Sequence, residues 1–136
     1  MPTRPTAPVA RAFLLCREIF EDVHTRAYLL VAPGDLVVEP AFPCTVGVSF
    51  YAQLSEVHGR YRFTLQLRDD EDQVVWGEAL EPPFEGTDPL KTYQIAFLQR
   101  PIHIPRAGRY SAVLLANGDE VARTPVRAEP PDGPAD

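Results

Sequence analysis

The sequence predicts an all-β fold: a two-sheet antiparallel β-sandwich of about eight strands, immunoglobulin-like or C2-like. Three observations carry the prediction. Apolar residues recur with period two along several segments, Gly/Pro turn signals fall between those segments, and Asn117-Gly118 marks a tight hairpin near the end. No segment makes a convincing helix.

The elements follow in chain order. "MPTRPTAPV" and "AEPPDGPAD" are rich in Pro and small residues and have little to bury, so residues 1–11 and 129–136 read as flexible tails around a domain at 12–128. "AFLLCREIF", "RAYLLV" and "DLVVE" are short strand candidates separated by "EDVHT" and "APGD". A helix over residues 12–23 competes with the first, because Ala12, Leu15, Ile19 and Val23 also fall at helical spacing.

The centre is clearer. "TVGVSFYAQL" puts Val46, Val48, Phe50, Ala52 and Leu54 on one face, and "RYRFTLQLR" does the same with Tyr61, Phe63, Leu65 and Leu67. The short link "SEVHG" reads as the loop of a hairpin between them. "QVVWGEAL" offers Val74 and Trp76 to the core. "EPPFEGTDP" reads as a loop, since paired prolines do not sustain a central strand. "KTYQIAFLQ" then turns Tyr93, Ile95 and Phe97 inward.

The closing block "HIPRAGRYSAVLLANGDEVA" is a strand approach followed by a hairpin. Pro105 and Gly108 bend the chain ahead of Tyr110, an order that resembles late strands of immunoglobulin-like sandwiches, where a tyrosine hydroxyl bonds back to nearby backbone. Both Asn117 and Gly118 tolerate the positive φ of a two-residue type I′ turn. Such a turn sets Ala116 opposite Asp119, Leu115 opposite Glu120 and Leu114 opposite Val121. Val113 and Leu115 then face outward as an apolar strip, the candidate interface for a protein partner or for a symmetric dimer. A three-residue bulged turn would instead pair Val113 with Val121.

Residues 12–129, from "FLLCREIF" through "FPCTVGVSFYAQL" and "YRFTLQLRD" to "IHIPRAGRYSAVLLANGDEVARTPVRAE", resemble a family of small uncharacterised bacterial proteins. Its marks are a cysteine-bearing first strand, a mid-chain Phe-Pro and the closing P-x-x-G-x-Y block. The resemblance implies a single β-sandwich domain of unknown function, and it offers no catalytic residue to carry over.

Composition narrows the function classes. A net charge of −6 argues against nucleic acid or an anionic membrane as partner. The basic residues are 12 Arg and Lys91 alone, a bias that reads as a high-GC genome before it reads as function. The N-terminal residues hold neither a signal peptide nor a spanning helix, so a cytoplasmic location is expected. Cys16 and Cys44 then read as reduced, buried thiols, although they could pair in principle.

Candidate chemistry is sparse. Asp69, Asp70, Glu71 and Asp72 suggest a C2-type calcium site only if a second loop, Glu85 or Asp88, helps; a solvated turn is the simpler reading. His24, His58 and His103 lack metal-ligand spacing, and Ser49, Ser55 and Ser111 lack a nucleophile elbow. Arg100, His103, Arg106 and Arg109 cluster around one connection, and Arg60 and Arg62 line an outward face. The expectation is a non-enzymatic binding or assembly module with no cofactor and no metal. The alternative is a ligand-binding or enzymatic sandwich with a pocket at one sheet end, or calcium-dependent C2-like binding.

Overall fold

The computed structural model describes residues 6–131. These residues form ten strands and no helix: β1 (Val9–Cys16), β2 (Glu18–Glu21), β3 (Tyr28–Val31), β4 (Leu36–Val38), β5 (Cys44–Ser55), β6 (Gly59–Asp69), β7 (Val74–Gly86), β8 (Tyr93–Ile104), β9 (Gly108–Ala116) and β10 (Asp119–Glu129). They make three sheets, ordered β1-β5-β8, β4-β10-β9-β6-β7 and β2-β3. The expected two sheets of about eight strands are therefore corrected to three sheets and ten strands. One added strand arises at Arg17, where the chain breaks "AFLLCREIF" into β1 and β2. The strand alternative to a helix over residues 12–23 is the one observed. β1 opens at Val9 and β10 closes at Glu129; residues 1–5 and 132–136 of the expected tails lie outside the described residues.

One apolar cluster joins the two larger sheets. Phe13, Leu15, Val48, Phe50, Leu54, Phe97, Ile102 and Ile104 come from the three-stranded sheet, and Tyr61, Phe63, Leu65, Leu67, Leu114 and Val126 from the five-stranded one. The alternation read in β5 and β6 places these residues inward as expected. Trp76 and Ile95 are half-buried at the cluster's margin.

Where the simple alternation fails, a bulge shifts the phase. In β8, Phe97 pairs with Phe50 and Arg100 with Val48, so Ser49 faces both Leu98 and Gln99. The inward set changes from Tyr93, Ile95 and Phe97 to Ile102 and Ile104, and His103 is left exposed. In β7 a shift beside Arg68 leaves Trp76 opposite inward Leu67 but puts Val74 opposite outward Arg68, so Val74 is 53% exposed and not a core residue.

Two further expectations change. β5 and β6 are not a hairpin: β5 pairs with β1 and β8, while β6 pairs with β7 and β9. Residues 56–58 instead carry the chain from one sheet to the other. Val57 plugs this corner with no exposure, and the Tyr61 hydroxyl lies 3.1 Å from the His58 carbonyl and 2.7 Å from that of Thr6. "EPPFEG" is not a loop but the end of β7, tolerated because β7 is an edge strand, where proline's missing donor faces no neighbour.

The closing hairpin keeps its predicted turn. Asn117 and Gly118 have φ of 51° and 88°, and Ala116 pairs with Asp119 and Leu115 with Glu120. A bulge at Val121 then pairs Leu114 with Ala122, not with Val121. This shift brings Thr124, Val126 and Ala128 to the buried face. The Tyr110 hydroxyl donates to the Arg106 carbonyl at 2.6 Å, the back-bond expected from the P-x-x-G-x-Y order.

Candidate interaction surface

Val113 and Leu115 do lie on the outer face of the five-stranded sheet, opposite Arg123 and Glu120 on β10 and Gln66 and Thr64 on β6. Their exposures of 0% and 9% nevertheless overturn the idea of a free apolar strip. An ionic roof occupies this face. Arg123 donates to Glu120 at 2.8 Å and to Asp72 at 3.0 Å, and Arg68 reaches Asp72 at 3.4 Å and Glu120 at 3.8 Å. The methylene stems of such arginines cover apolar neighbours while the guanidinium heads meet solvent and acids. The roof holds the Asp72 and Glu120 carboxyls below their usual range, chiefly through the hydrogen bonds from Arg123.

The acidic turn is spent on the same work. The Asp69 carboxylate accepts the Glu71 and Gln73 N–H groups at 3.0 and 2.9 Å, and Asp72 serves the roof. Among the described residues no group of His, Cys, Asp and Glu has the arrangement of a metal site. Of the basic cluster, Arg100 pairs with Glu78 across the β7–β8 seam, and Arg106 serves Tyr110 through its backbone. Ser49 is buried and accepts the Gln99 N–H at 3.1 Å, while Ser55 accepts from Arg11 at 2.9 Å.

Both cysteines are free thiols. Cys16 is 1% exposed at the wall of a cavity of about 520 Å³ between the ends of β1, β4 and β5, and burial raises its pKa. Cys44 is half-buried, and its pKa is raised by burial and then by Glu39.

The surface that sequence reasoning missed is the β2–β3 ribbon. Its register pairs Ile19 with Leu30 and Glu21 with Tyr28 on one face, and Phe20 with Leu29 on the other. The first face lies on the outer side of the three-stranded sheet: Ile19 is 7% exposed, and Tyr28 meets Tyr51 edge-on at 6.1 Å. Burial raises the pKa of both tyrosines, with Glu21 adding to the rise at Tyr28 and Tyr28 adding to that at Tyr51. The second face has no cover among the described residues, since Phe20 is 53% exposed, Leu29 64% and Val23, at the tip, 79%.

The ribbon is held in shape by its own turn. The Asp22 carboxylate accepts the His24 and Thr25 N–H groups at 2.8 and 3.3 Å, which lowers its pKa, and the Arg26 side chain bonds Glu21 at 2.8 Å. Three more backbone bonds close it: Asp22 N–H to the Ala27 carbonyl at 2.9 Å, Arg26 N–H to Asp22 at 2.8 Å, and Arg17 N–H to Val31 at 3.0 Å. The signal was present in the sequence: "EIF" and "YLL" alternate, so if Ile19 and Leu30 are inward, Phe20 and Leu29 must be outward.

A model described as a family of unknown function, DUF6941, matches residues 11–129, and the chain belongs to that family. No curated protein matches the chain. No helix among the described residues is long and apolar enough to cross a membrane.

Proposed function

We propose that this DUF6941 member is a non-enzymatic protein-binding module whose docking surface is the outer face of the β2–β3 ribbon. One observation carries the reading. Phe20 and Leu29 form an exposed cross-strand pair on a ribbon whose opposite face is anchored, so the apolar pair is presented rigidly. A cross-strand aromatic–aliphatic pair contributes most when it is covered.

Size bears on the kind of partner. A standard interface takes about 800 Å² from each partner, close to a tenth of this protein's 8351 Å². Two apolar side chains supply only the centre of such an area. Glu18, His24 and Arg26 would form the polar rim around them, the usual anatomy of a protein–protein contact. In this reading the two larger sheets act as a sandwich scaffold, and the protein works in a bacterial cytoplasm with a protein partner and no metal or cofactor.

The test is Phe20→Ser combined with Leu29→Ser. Both positions are exposed, so the fold and its melting temperature should hold while a complex seen by sedimentation is lost. Retention of the same complex by the double variant would reject the ribbon as the docking surface.

A further inference from the structure

The seam between β7 and β8 holds a cavity away from the ribbon. Among the described residues each is the last strand of its sheet: β7 pairs with β6 alone, and β8 with β5 alone. On β7, Leu80 pairs with Phe63 and Phe84 with Tyr61, so Glu81, Pro82 and Pro83 together face the single residue Arg62. Prolines have no N–H to hold a ladder, and the bulge they form keeps β7 from closing on β8. A cavity of about 440 Å³ remains, with Phe63, Leu80, Phe84, Ile95 and Phe97 in its wall.

This cleft is a window with two closed ends. At one end the Arg100 guanidinium on β8 is ion-paired with Glu78 on β7. At the other the rings of Phe84 and Tyr93 meet edge-on at 5.4 Å. The six steps from Glu78 to Phe84 span at most about 20 Å of extended chain. That is too short for a through-running peptide strand, whereas the volume lies within the range of small-molecule sites. The Phe63 ring, 6.0 Å from Phe84 and 6.1 Å from Phe97, forms an aromatic floor.

The polar groups favour one charge. Glu81 lines the cleft but is directed to Arg62 at 3.5 Å on the outer side. Arg100 uses Nη1 for Glu78 and Nε for the Leu98 carbonyl at 3.0 Å. A guanidinium carries five N–H groups, and the two on Nη2 have no partner among the described residues. A carboxylate or sulfonate entering the cleft would find these donors at the end of an aromatic wall.

We propose that the β7–β8 cleft binds a small amphipathic anion with a flat apolar body over Phe63 and its acidic head on Arg100. This site is separate from the ribbon and does not depend on its role. The test titrates the intact folded chain with anilinonaphthalenesulfonate and with its uncharged analogue N-phenyl-1-naphthylamine, reading fluorescence. Both should bind saturably at one site. Arg100→Gln should weaken the anion about tenfold, the effect of losing one charge-assisted bond, and leave the uncharged analogue unchanged. Ile95→Trp, which fills the cleft, should abolish both; if that variant is misfolded by circular dichroism, Leu98→Trp at the exposed rim serves instead. Absence of saturable binding, equal loss of both probes in Arg100→Gln, or loss of binding in the Phe20→Ser, Leu29→Ser variant would overturn the proposal.

Discussion

Gly86, at the end of β7, should resist even one added methyl. A Cβ built there would lie 2.3 Å from Val57 Cγ1, 3.1 Å from Val57 Cβ and 3.2 Å from the Val57 carbonyl oxygen. Gly86 does not have a positive φ, so the obstacle is packing and not backbone strain. Val57 is fully buried and cannot swing away. Gly86→Ala should therefore cost about 1–3 kcal/mol of overpacking, offset by up to about 1 kcal/mol from the stiffer unfolded chain. Val57→Ala alone removes two buried methyl-sized groups and should cost about 2 kcal/mol. In the double variant the new methyl occupies the space left by the valine, so the two losses should not add. The expected coupling is at least about 1 kcal/mol in favour of the pair. Urea denaturation followed by Trp76 fluorescence measures all four corners of this cycle. A neutral or stabilising Gly86→Ala, or strictly additive losses, would refute the packing of this corner.

Further expectations concern the roof, the thiols and the tyrosine back-bond. Arg123→Ala should expose Val113 and make stability less sensitive to salt, with a loss below about 1 kcal/mol because the pairs are largely exposed. In the roof the folded carboxyls of Asp72 and Glu120 are held below their ordinary 3.8 and 4.5 by Arg123, and outside it Arg127, 3.0 Å from Asp35, lowers that carboxyl in the same way. Their contribution is thus complete above about pH 5 and is lost as pH falls through the depressed folded values. An acid titration of melting temperature should show that fall, and Arg123→Gln should make it shallower; an unchanged profile would contradict the roof. Native thiol labelling should modify half-buried Cys44 before Cys16, and the reverse order would contradict the burial of Cys16. Tyr110→Phe should cost about 1 kcal/mol in urea denaturation through loss of the bond to the Arg106 carbonyl.

The legible parts of this fold are those in which one local rule decides. The inward set of β5 and β6 follows from period two, the turn at Asn117-Gly118 from positive φ, and the Tyr110 back-bond from its spacing to Pro105 and Gly108. The illegible parts depend on partners distant in sequence. Nothing in "SEVHG" says that its flanking strands join different sheets, because hairpin and crossover links can share one composition. The bulges at Leu98–Gln99 and Val121 each reset the inward set without a signal stronger than the alternation they interrupt, and the prolines at 82 and 83, a strong signal, read as a loop because nothing local marks β7 as an edge strand. Val113 and Leu115 were placed on the right face but judged free, since their cover comes from residues 68, 72, 120 and 123, which meet only in the folded sheet. Phe20 and Leu29 escaped notice for the opposite reason: they belong to a four-residue pairing too short to stand out.

The central claim is that the ribbon's outer face, and not the Val113–Leu115 face, meets a protein. Photo-cross-linking tests it most directly, with benzoylphenylalanine placed at position 29 in one sample and at position 127, on the outer face of β10, in another, each expressed in the native cell. The account predicts a discrete protein adduct from position 29 that disappears when Phe20→Asp is added, and no matching adduct from position 127. The same adduct from both positions, or one from position 29 that survives Phe20→Asp, would contradict it.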